Sequence, residues 1–275
     1  MKALVTGASS GIGREIAKVL AERGYDLILT ARRADRLQAL ADELPVKVEV
    51  IPADLTDRAH VKALWERVKD QDIDITSEES LSALVKVALD TYGRIDILVN
   101  NAGRGLFGPF DETDLDTELA MLEVNIVALH TLTKLFLPKM KARGRGHILN
   151  VASSAAFLPG PLLSSYYASK AYVLRLSEAI AEELRRARSK VTISVLCPGP
   201  VPTEFDQVAD VRFSIPGTDS TSVARLAVAG TLRGQLLILP GVRMKAVHFF
   251  QRFVPDKILA RLCWEVQRRK SGPDR

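Results

Sequence analysis

KALVTGASSGIGREIAKVLAERG, residues 2 to 24, decides the fold. A short apolar run enters a glycine-rich loop, and the loop opens into an amphipathic helical pattern that stops at Gly24. Strand, glycine loop and helix in that order are what a dinucleotide requires. Glycines at 7, 11 and 13 permit a tight turn, close approach of backbone N–H groups to a pyrophosphate, and tight packing of helix on strand, while the helix N-terminus favours negative charge. Gly7, Ser9, Ser10, Gly11, Ile12 and Gly13 are therefore the expected phosphate-binding residues.

Outward from that stretch the same alternation continues. Short β-rich runs (ALVT, DLILTA, VKVEVI, IDILV, HILNVA, VTISVLC and QLLIL) are separated by helical patterns at 11–23, 34–43, 112–142, 165–188 and 221–229 and by a long helical region before IDILV. The strand runs are nearly continuous in apolar residues, which is what strands covered on both faces require. The expected fold is α/β, a Rossmann-type doubly wound seven-stranded parallel sheet with helices on both faces in three α/β/α layers. Residues 1–275 are expected to form a single domain. Between Ile51 and Asp96 lie more residues than one crossover helix needs. HVKALWERVKD and SLSALVKVALDTYG read as two amphipathic segments, with Thr76 or Ser77 capping the second, so a helical surface insertion is expected at about 70–92, at the sheet edge opposite the ligand crevice.

The net charge of +5 is uneven. From Val242 to Arg275 there are nine basic and three acidic residues, a local +6, so the rest of the chain sums to −1. A solvated helix face explains such a run more simply than an anionic partner, and no nucleic-acid motif accompanies it. Phe249, Phe250, Phe253, Leu259, Leu262 and Trp264 lie among those basic residues, with Pro255 dividing the stretch into two helices of an extension at about 242–270. Covering the pocket or an oligomer contact is the expected role, ahead of contact with an anionic membrane surface. Cys197 and Cys263 are too few for a disulfide framework, and the four histidines lack metal-ligand spacing, so no metal is expected. No signal-peptide pattern precedes the first strand and no run reaches ~18 uninterrupted apolar residues, so a cytoplasmic location is expected.

After the second strand, a dinucleotide fold that prefers NAD usually offers an acidic residue to the ribose hydroxyls; here the chain reads Thr30, Ala31, Arg32, Arg33. Guanidinium groups attract a 2′-phosphate that a carboxylate would repel. NADP(H) is therefore expected in preference to NAD(H), with Arg32 as the main contact and Ser9 or Arg33 assisting.

With its glycines spaced as TGxxxGxG, the chain resembles the short-chain dehydrogenase/reductases from residue 2 to about 205. Further motifs follow in order: ADL at 53–55, NNAG at 100–103, Asn125, Ser153, Tyr166 with Lys170, and PGPVPT at 198–203. The resemblance implies that Asp54 and Leu55 flank the adenine, that Asn101, Ala102 and Gly103 line the ribose side, and that Pro198, Gly199, Val201 and Thr203 pass the nicotinamide. SSYYASKAYV at 164–173 and the basic tail look most like the branch of broad carbonyl reductases and hydroxysteroid or acyl-chain reductases.

The chemistry has its own signal. Reduction of a carbonyl leaves an oxygen that needs a proton at once, so the site must supply an acid beside a polarising donor. A free tyrosine, with a pKa of about 10, is a reluctant proton donor, and a nearby ammonium lowers that value by favouring the phenolate. Of the five tyrosines only Tyr166 has lysine at +4, on the same helix face; Tyr167 is followed there by Ala171. The resemblance implies that Ser153 donates to the substrate oxygen, that Tyr166 transfers the proton, that Lys170 also holds the nicotinamide ribose, and that Asn125 positions a water. Ser154 is a rival for Ser153, and Ser164 and Ser165 are expected to cap the Tyr166 helix. Asn125 is also an unfavourable residue inside a helical run, which invites a functional reason or a buried polar kink.

The segments RGLFGPF, AFLPGPLL and EFDQVADVRFSIPG are expected to wall the substrate site, with Phe107, Phe157 and Phe205 as contacts. They imply a small hydrophobic ketone, aldehyde or secondary alcohol as substrate. The competing class is a nucleotide sensor or scaffold that binds NADP(H) without turnover; Ser153 and Tyr166 together argue against it, because binding alone needs neither. A sugar epimerase or dehydratase is a third, weaker reading. Relatives are commonly dimers or tetramers joined through the long helices at 112–142 and 165–188, so a homodimer or homotetramer is expected.

Overall fold

The structure, a computed structural model, describes residues 1–56, 95–204 and 218–268. The expected insertion at 70–92 and Phe205 lie outside the described residues. Elements are numbered below among the described residues.

Seven strands form one sheet: β1 (Lys2–Thr6), β2 (Asp26–Ala31), β3 (Val48–Pro52), β4 (Ile97–Asn100), β5 (Gly146–Val151), β6 (Val191–Leu196) and β7 (Leu237–Ile238). Every pairing is parallel and the order is β3-β2-β1-β4-β5-β6-β7. Strand order therefore reverses between β1 and β4, and the crevice for a ligand opens at their carboxyl ends. The sheet is the one expected, though β7 takes only two residues of QLLIL.

Alternate side chains of each strand feed two cores. Ala3, Val5, Leu27, Leu29 and Val99 pack against Ile16 and Leu20 of α1 (Gly11–Glu22), Leu37 and Leu40 of α2 (Ala34–Glu43), and Val223 and Ala227 of the later helix 220–232. On the opposite face, Leu4, Ile28, Leu98, Ile148 and Ile193 meet Leu132, Phe136, Met140 and Leu184. Burial on both faces is why the strands read as unbroken apolar runs.

The stretch expected as one helix at 112–142 is three pieces: α3 (Leu115–Leu122), a π-helical turn at Glu123–Ala128, and α4 (Leu129–Ala142). Asp114 caps α3, its carboxylate accepting from Thr117 N at 2.8 Å. Leu115–Ala142 is long and apolar enough to cross a membrane by length and composition, but Leu132, Phe136 and Met140 are buried against the sheet. Helix α5 (Ser164–Arg186) carries the tyrosines, and α6 (Ser220–Leu232) follows β6. Beyond β7 the tail forms α7 (Val242–Phe250), a 3-10 turn at Gln251–Phe253, and α8 (Asp256–Arg268).

Candidate active site

The first strand ends in a turn that only glycine accommodates. Gly7 has φ +66°, and its N–H donates to Thr30 O at 2.8 Å; a Cβ there would stand 2.8 Å from Asn101 Nδ2 and 2.9 Å from Ala102 Cα. A Cβ on Gly13 would run into Asn101 Nδ2 and Gly7 O. The loop is thus pressed against the end of β4, and Thr6 sews the two together. Its hydroxyl accepts from the N–H groups of Asn101 and Ala102 at 2.9 and 3.0 Å, and Asn101 Nδ2 donates back to Thr6 O at 3.0 Å.

Helix α1 starts after Ser10, whose backbone is extended and whose side chain does not cap it. Its first N–H groups are left for an anion, in a cradle that added side chains would fill, so the loop fits a dinucleotide's phosphates. The hydroxyls of Ser9 and Ser10 accept instead from Arg33, at 3.2 and 3.0 Å. Arg33 also donates to Glu204 at 2.7 Å, and Arg36 pairs with the other oxygen of that carboxylate. Arg36 and Arg33 hold the Glu204 carboxyl below the usual carboxylate range. Arg32 is exposed and lines the same cleft.

Tyr166 and Lys170 occupy one face of α5, with the ammonium 5.8 Å from the centre of the phenol ring. Burial pushes the Tyr166 phenol up to about 12, and a hydrogen bond from Ser153 opposes that rise. Burial also pulls the Lys170 ammonium down to about 8, and Nζ donates to Val151 O at 3.0 Å. The phenol is thus raised rather than lowered as expected: desolvation sets the direction, and the group that opposes it is Ser153, not Lys170. Ser153 sits just past β5, its Oγ accepting from Ala155 N at 3.1 Å. Its rival Ser154 lines the cleft too, but Tyr166's side-chain hydrogen bond is with Ser153.

Asn125 is 1 % exposed in the π-helical turn. Its amide accepts from Arg104 N and donates to Arg104 O, both at 2.9 Å, and donates to Ser169 Oγ at 3.0 Å. Ser169 in turn donates to Tyr166 O at 2.7 Å. A Cβ on Gly103 would lie 3.2 Å from Asn125 Oδ1 and 3.3 Å from Lys170 Nζ, so these three residues converge. Neither Ser164 nor Ser165 caps α5: Leu163 holds the N-cap position, and the Ser165 hydroxyl is spent on the buried Glu118 carboxylate.

One cavity of about 640 Å³ joins the two halves of the site. Ser9, Ser10, Gly11, Ile12, Arg32, Arg33, Asp54 and Leu55 line one end; Ser153, Tyr166 and Lys170 line the other, with Asn101, Ala102, Gly103, Pro198, Gly199, Val201 and Thr203 also on its wall. Gly13 and Asn125 stand behind that surface and shape it. Asp54 accepts from Thr56 N and Oγ1 at 2.9 and 2.7 Å, a local turn at the cleft edge. Thr203 lies beside Gly11, its Cγ2 3.1 Å from where a Cβ would stand.

Phe107 and Phe157 are not among the lining residues. Phe107 packs against Leu163, as Tyr166 and Tyr167 also do, and Phe157 meets His248 of α7 in a tilted ring contact with centres 4.3 Å apart. The far wall comes instead from the tail: Met244 and Val247 of α7 and Leu259, Leu262, Cys263, Val266 and Gln267 of α8. The tail was expected to cover the pocket or an oligomer contact, and Leu259 and Leu262 do line the cavity, as does Glu204 at the head of an expected wall segment. Met244, Val247, Cys263, Val266 and Gln267, and Thr6 and Ser169, were not singled out by the sequence, whose apolar spacing in the tail left pocket and oligomer contact open.

A sequence model of the family described as short chain dehydrogenase matches residues 1–72 and 71–211. An uncharacterized oxidoreductase of Staphylococcus epidermidis is 31% identical over 208 residues, 76% of this chain and 81% of that protein. Among solved structures, a short-chain dehydrogenase from Sphingobium yanoikuyae in complex with NADPH is 30% identical, with a TM-score of 0.73 over 92% of this chain and 94% of that one. A short chain dehydrogenase/reductase from Burkholderia phymatum in complex with NAD is 27% identical, with a TM-score of 0.74 over 99% and 96%. A bulky-bulky ketone specific alcohol dehydrogenase from Comamonas testosteroni is 26% identical, with a TM-score of 0.71 over 92% of each chain.

Proposed function

Because this chain belongs to the short-chain dehydrogenase/reductase family, we propose that it is an NADP(H)-dependent oxidoreductase acting between a hydrophobic ketone or aldehyde and the corresponding secondary alcohol, with Tyr166 as acid/base. The observation that carries the reading is that Tyr166, Ser153 and Lys170 face the same cavity as the glycine loop and the two arginines after β2.

A bound nicotinamide supplies or accepts the hydride. This chain's residues handle the oxygen. Tyr166, kept protonated by burial, holds the proton a newly formed alkoxide needs, and Ser153 beside it is a second donor to the same oxygen. Lys170, held near pH 8 by burial, gains or loses charge close to neutrality and so biases the phenol without holding it ionised. Asn125 braces the loop at 104 and the backbone of Tyr166 through Ser169, and a water beside it is the proposed route for replacing the proton.

Preference for NADP(H) is supported by Arg32 and Arg33 just after β2 and by Arg36 in the first turn of α2, with arginine where an acidic residue would favour NAD(H). A hydrophobic substrate is supported by the wall of Met244, Val247, Leu259, Leu262 and Val266. Assembly as a homodimer or homotetramer is supported by Leu115, Leu119, Val127 and Tyr172, which stay exposed on the α3–α5 surface.

The test is a panel of hydrophobic ketones and aldehydes with NADPH, read as loss of absorbance at about 340 nm. Turnover that falls at least about 1,000-fold in Tyr166→Phe, with NADPH binding retained, is the expected result. Tight NADPH binding with silence across the panel would support the sensor reading instead.

A further inference from the structure

The wall that α8 gives to the cavity is apolar except at its end. Leu259, Leu262, Cys263, Val266 and Gln267 follow one another at helical spacing along that wall. Gln267 is 1 % exposed, and its Nε2 donates to the Tyr167 hydroxyl at 2.5 Å across 100 positions of sequence. Its Oε1 is buried with no partner among the described protein groups. Tyr167 is held where it is, since a Cβ on Gly160 would run into its ring, and the ring stands 6.1 Å from that of Tyr166, centre to centre.

A buried amide oxygen without a partner costs stability, so it is retained most readily where a ligand completes it. With the amide as placed, the pair offers an acceptor in Gln267 Oε1 and a donor in the Tyr167 O–H. If the amide is turned over, the phenol donates to Oε1 and the Nε2 donors are left for the ligand. A hydroxyl, which both donates and accepts, suits either arrangement; a carbonyl or an amine suits only one.

We propose that Gln267 and Tyr167 form a specificity-determining subsite for a hydroxyl group, so that the substrate is a hydrophobic ketone carrying a hydroxyl remote from its carbonyl. This rests on the oxidoreductase reading above, and it places the recognition of the substrate's far end on the tail. Burial pushes the Tyr167 phenol well up from its ordinary range, so its O–H is available as a donor throughout the neutral region.

The test measures binding, so that it does not depend on turnover. Fused-ring ketones in matched pairs, with and without a hydroxyl at successive positions of the distal ring, are titrated calorimetrically into the enzyme–NADP⁺ complex. For at least one position the hydroxylated member binds about tenfold tighter, a preference of the size one neutral hydrogen bond gives. In Tyr167→Phe, which removes one oxygen and leaves the ring on Gly160, and in Gln267→Leu, the ratio falls to within about twofold of unity. NADP⁺ affinity measured on each variant confirms that it is folded. Equal binding within every pair, binding of neither member, or a preference that survives both substitutions overturns the proposal. Discrimination in binding without reduction of any pair would instead overturn the oxidoreductase reading and leave the subsite standing.

Discussion

Lys170 is 4 % exposed and its ammonium donates to one carbonyl, that of Val151. An ammonium so placed is a cost to the fold. A shift from 10.5 to about 8 corresponds to about 3 kcal/mol as an upper bound. The unfolded chain holds that proton up to its ordinary pKa while the folded chain releases it near 8, so this contribution to stability is least below pH 8 and rises between 8 and 10.5. Tyr166 acts the other way: the folded chain keeps its proton to about 12, so stability falls as pH rises from 10 to 12. Lys170→Met is therefore expected to abolish turnover yet raise the stability of the cofactor-free protein at pH 7, by roughly 1–2 kcal/mol after lost packing and hydrogen bonding are counted. Thermal melts of both proteins would show the gap narrowing from pH 8 upward; a variant less stable than the parent at pH 7 would contradict it. At this scale the juxtaposition of Tyr166 and Lys170, the proposed catalytic pair, was legible because a spacing of four puts two residues on one helix face whatever surrounds them. Glu204 and Gln267 were not, since their partners Arg33 and Tyr167 lie 171 and 100 positions away and no local pattern links them.

Among the elements, α1 depends on a packing constraint that its own sequence only hints at. Gly13 sits in the first turn, where alanine would ordinarily favour a helix, but here a methyl group would meet Asn101 and the backbone oxygen of Gly7. Gly13→Ala is expected to destabilise the protein by about 1–3 kcal/mol through overpacking and to weaken NADP⁺ binding at least about tenfold, as seen in melts with and without cofactor. A melt that rises, as helix propensity alone would give, would show that the loop can yield. The π-helical turn between α3 and α4 was half legible. Asn125 stood out as a poor helix residue, but the extra residue in the turn follows from tertiary bonds to Arg104 and Ser169, which a 3.6-residue pattern does not encode. Of QLLIL only Leu237 and Ile238 form β7, paired with Val195 and Leu196 at the end of β6.

For the whole molecule, the cleft runs from the arginines after β2, past the glycine loop and Tyr166, to the tail. A ligand that fills it binds the folded chain alone and raises its stability, by about 2.7 kcal/mol at a hundred times its Kd. NADP⁺ is expected to raise the melting temperature more than NAD⁺ at equal concentration. Arg32→Ala is expected to cut the ratio of the two affinities by about 10–100-fold, the worth of a charge-assisted hydrogen bond. An unchanged ratio would move the 2′-phosphate contact to Arg33 or Arg36, which would have to part from Glu204 to make it. The seven-stranded parallel sheet and its crevice were readable because apolar runs alternating with helical patterns admit few topologies, and a doubly wound sheet places its crevice at the carboxyl ends of the strands. Whether the tail covers the pocket or an oligomer contact was not, because that depends on where an amphipathic segment comes to rest.

That tail divides labour along the chain. The residues proposed to hold a nucleotide and move a proton end at Thr203, while much of the proposed substrate wall begins at Met244. Met244 touches the Gly199 loop, His248 meets Phe157 and Gln267 reaches Tyr167, so both tail helices are tied to the body of the domain. Substitutions along α7 and α8 can therefore change what the cavity accepts while Ser153, Tyr166 and Lys170 stay as they are, so selectivity and proton transfer are open to separate adjustment.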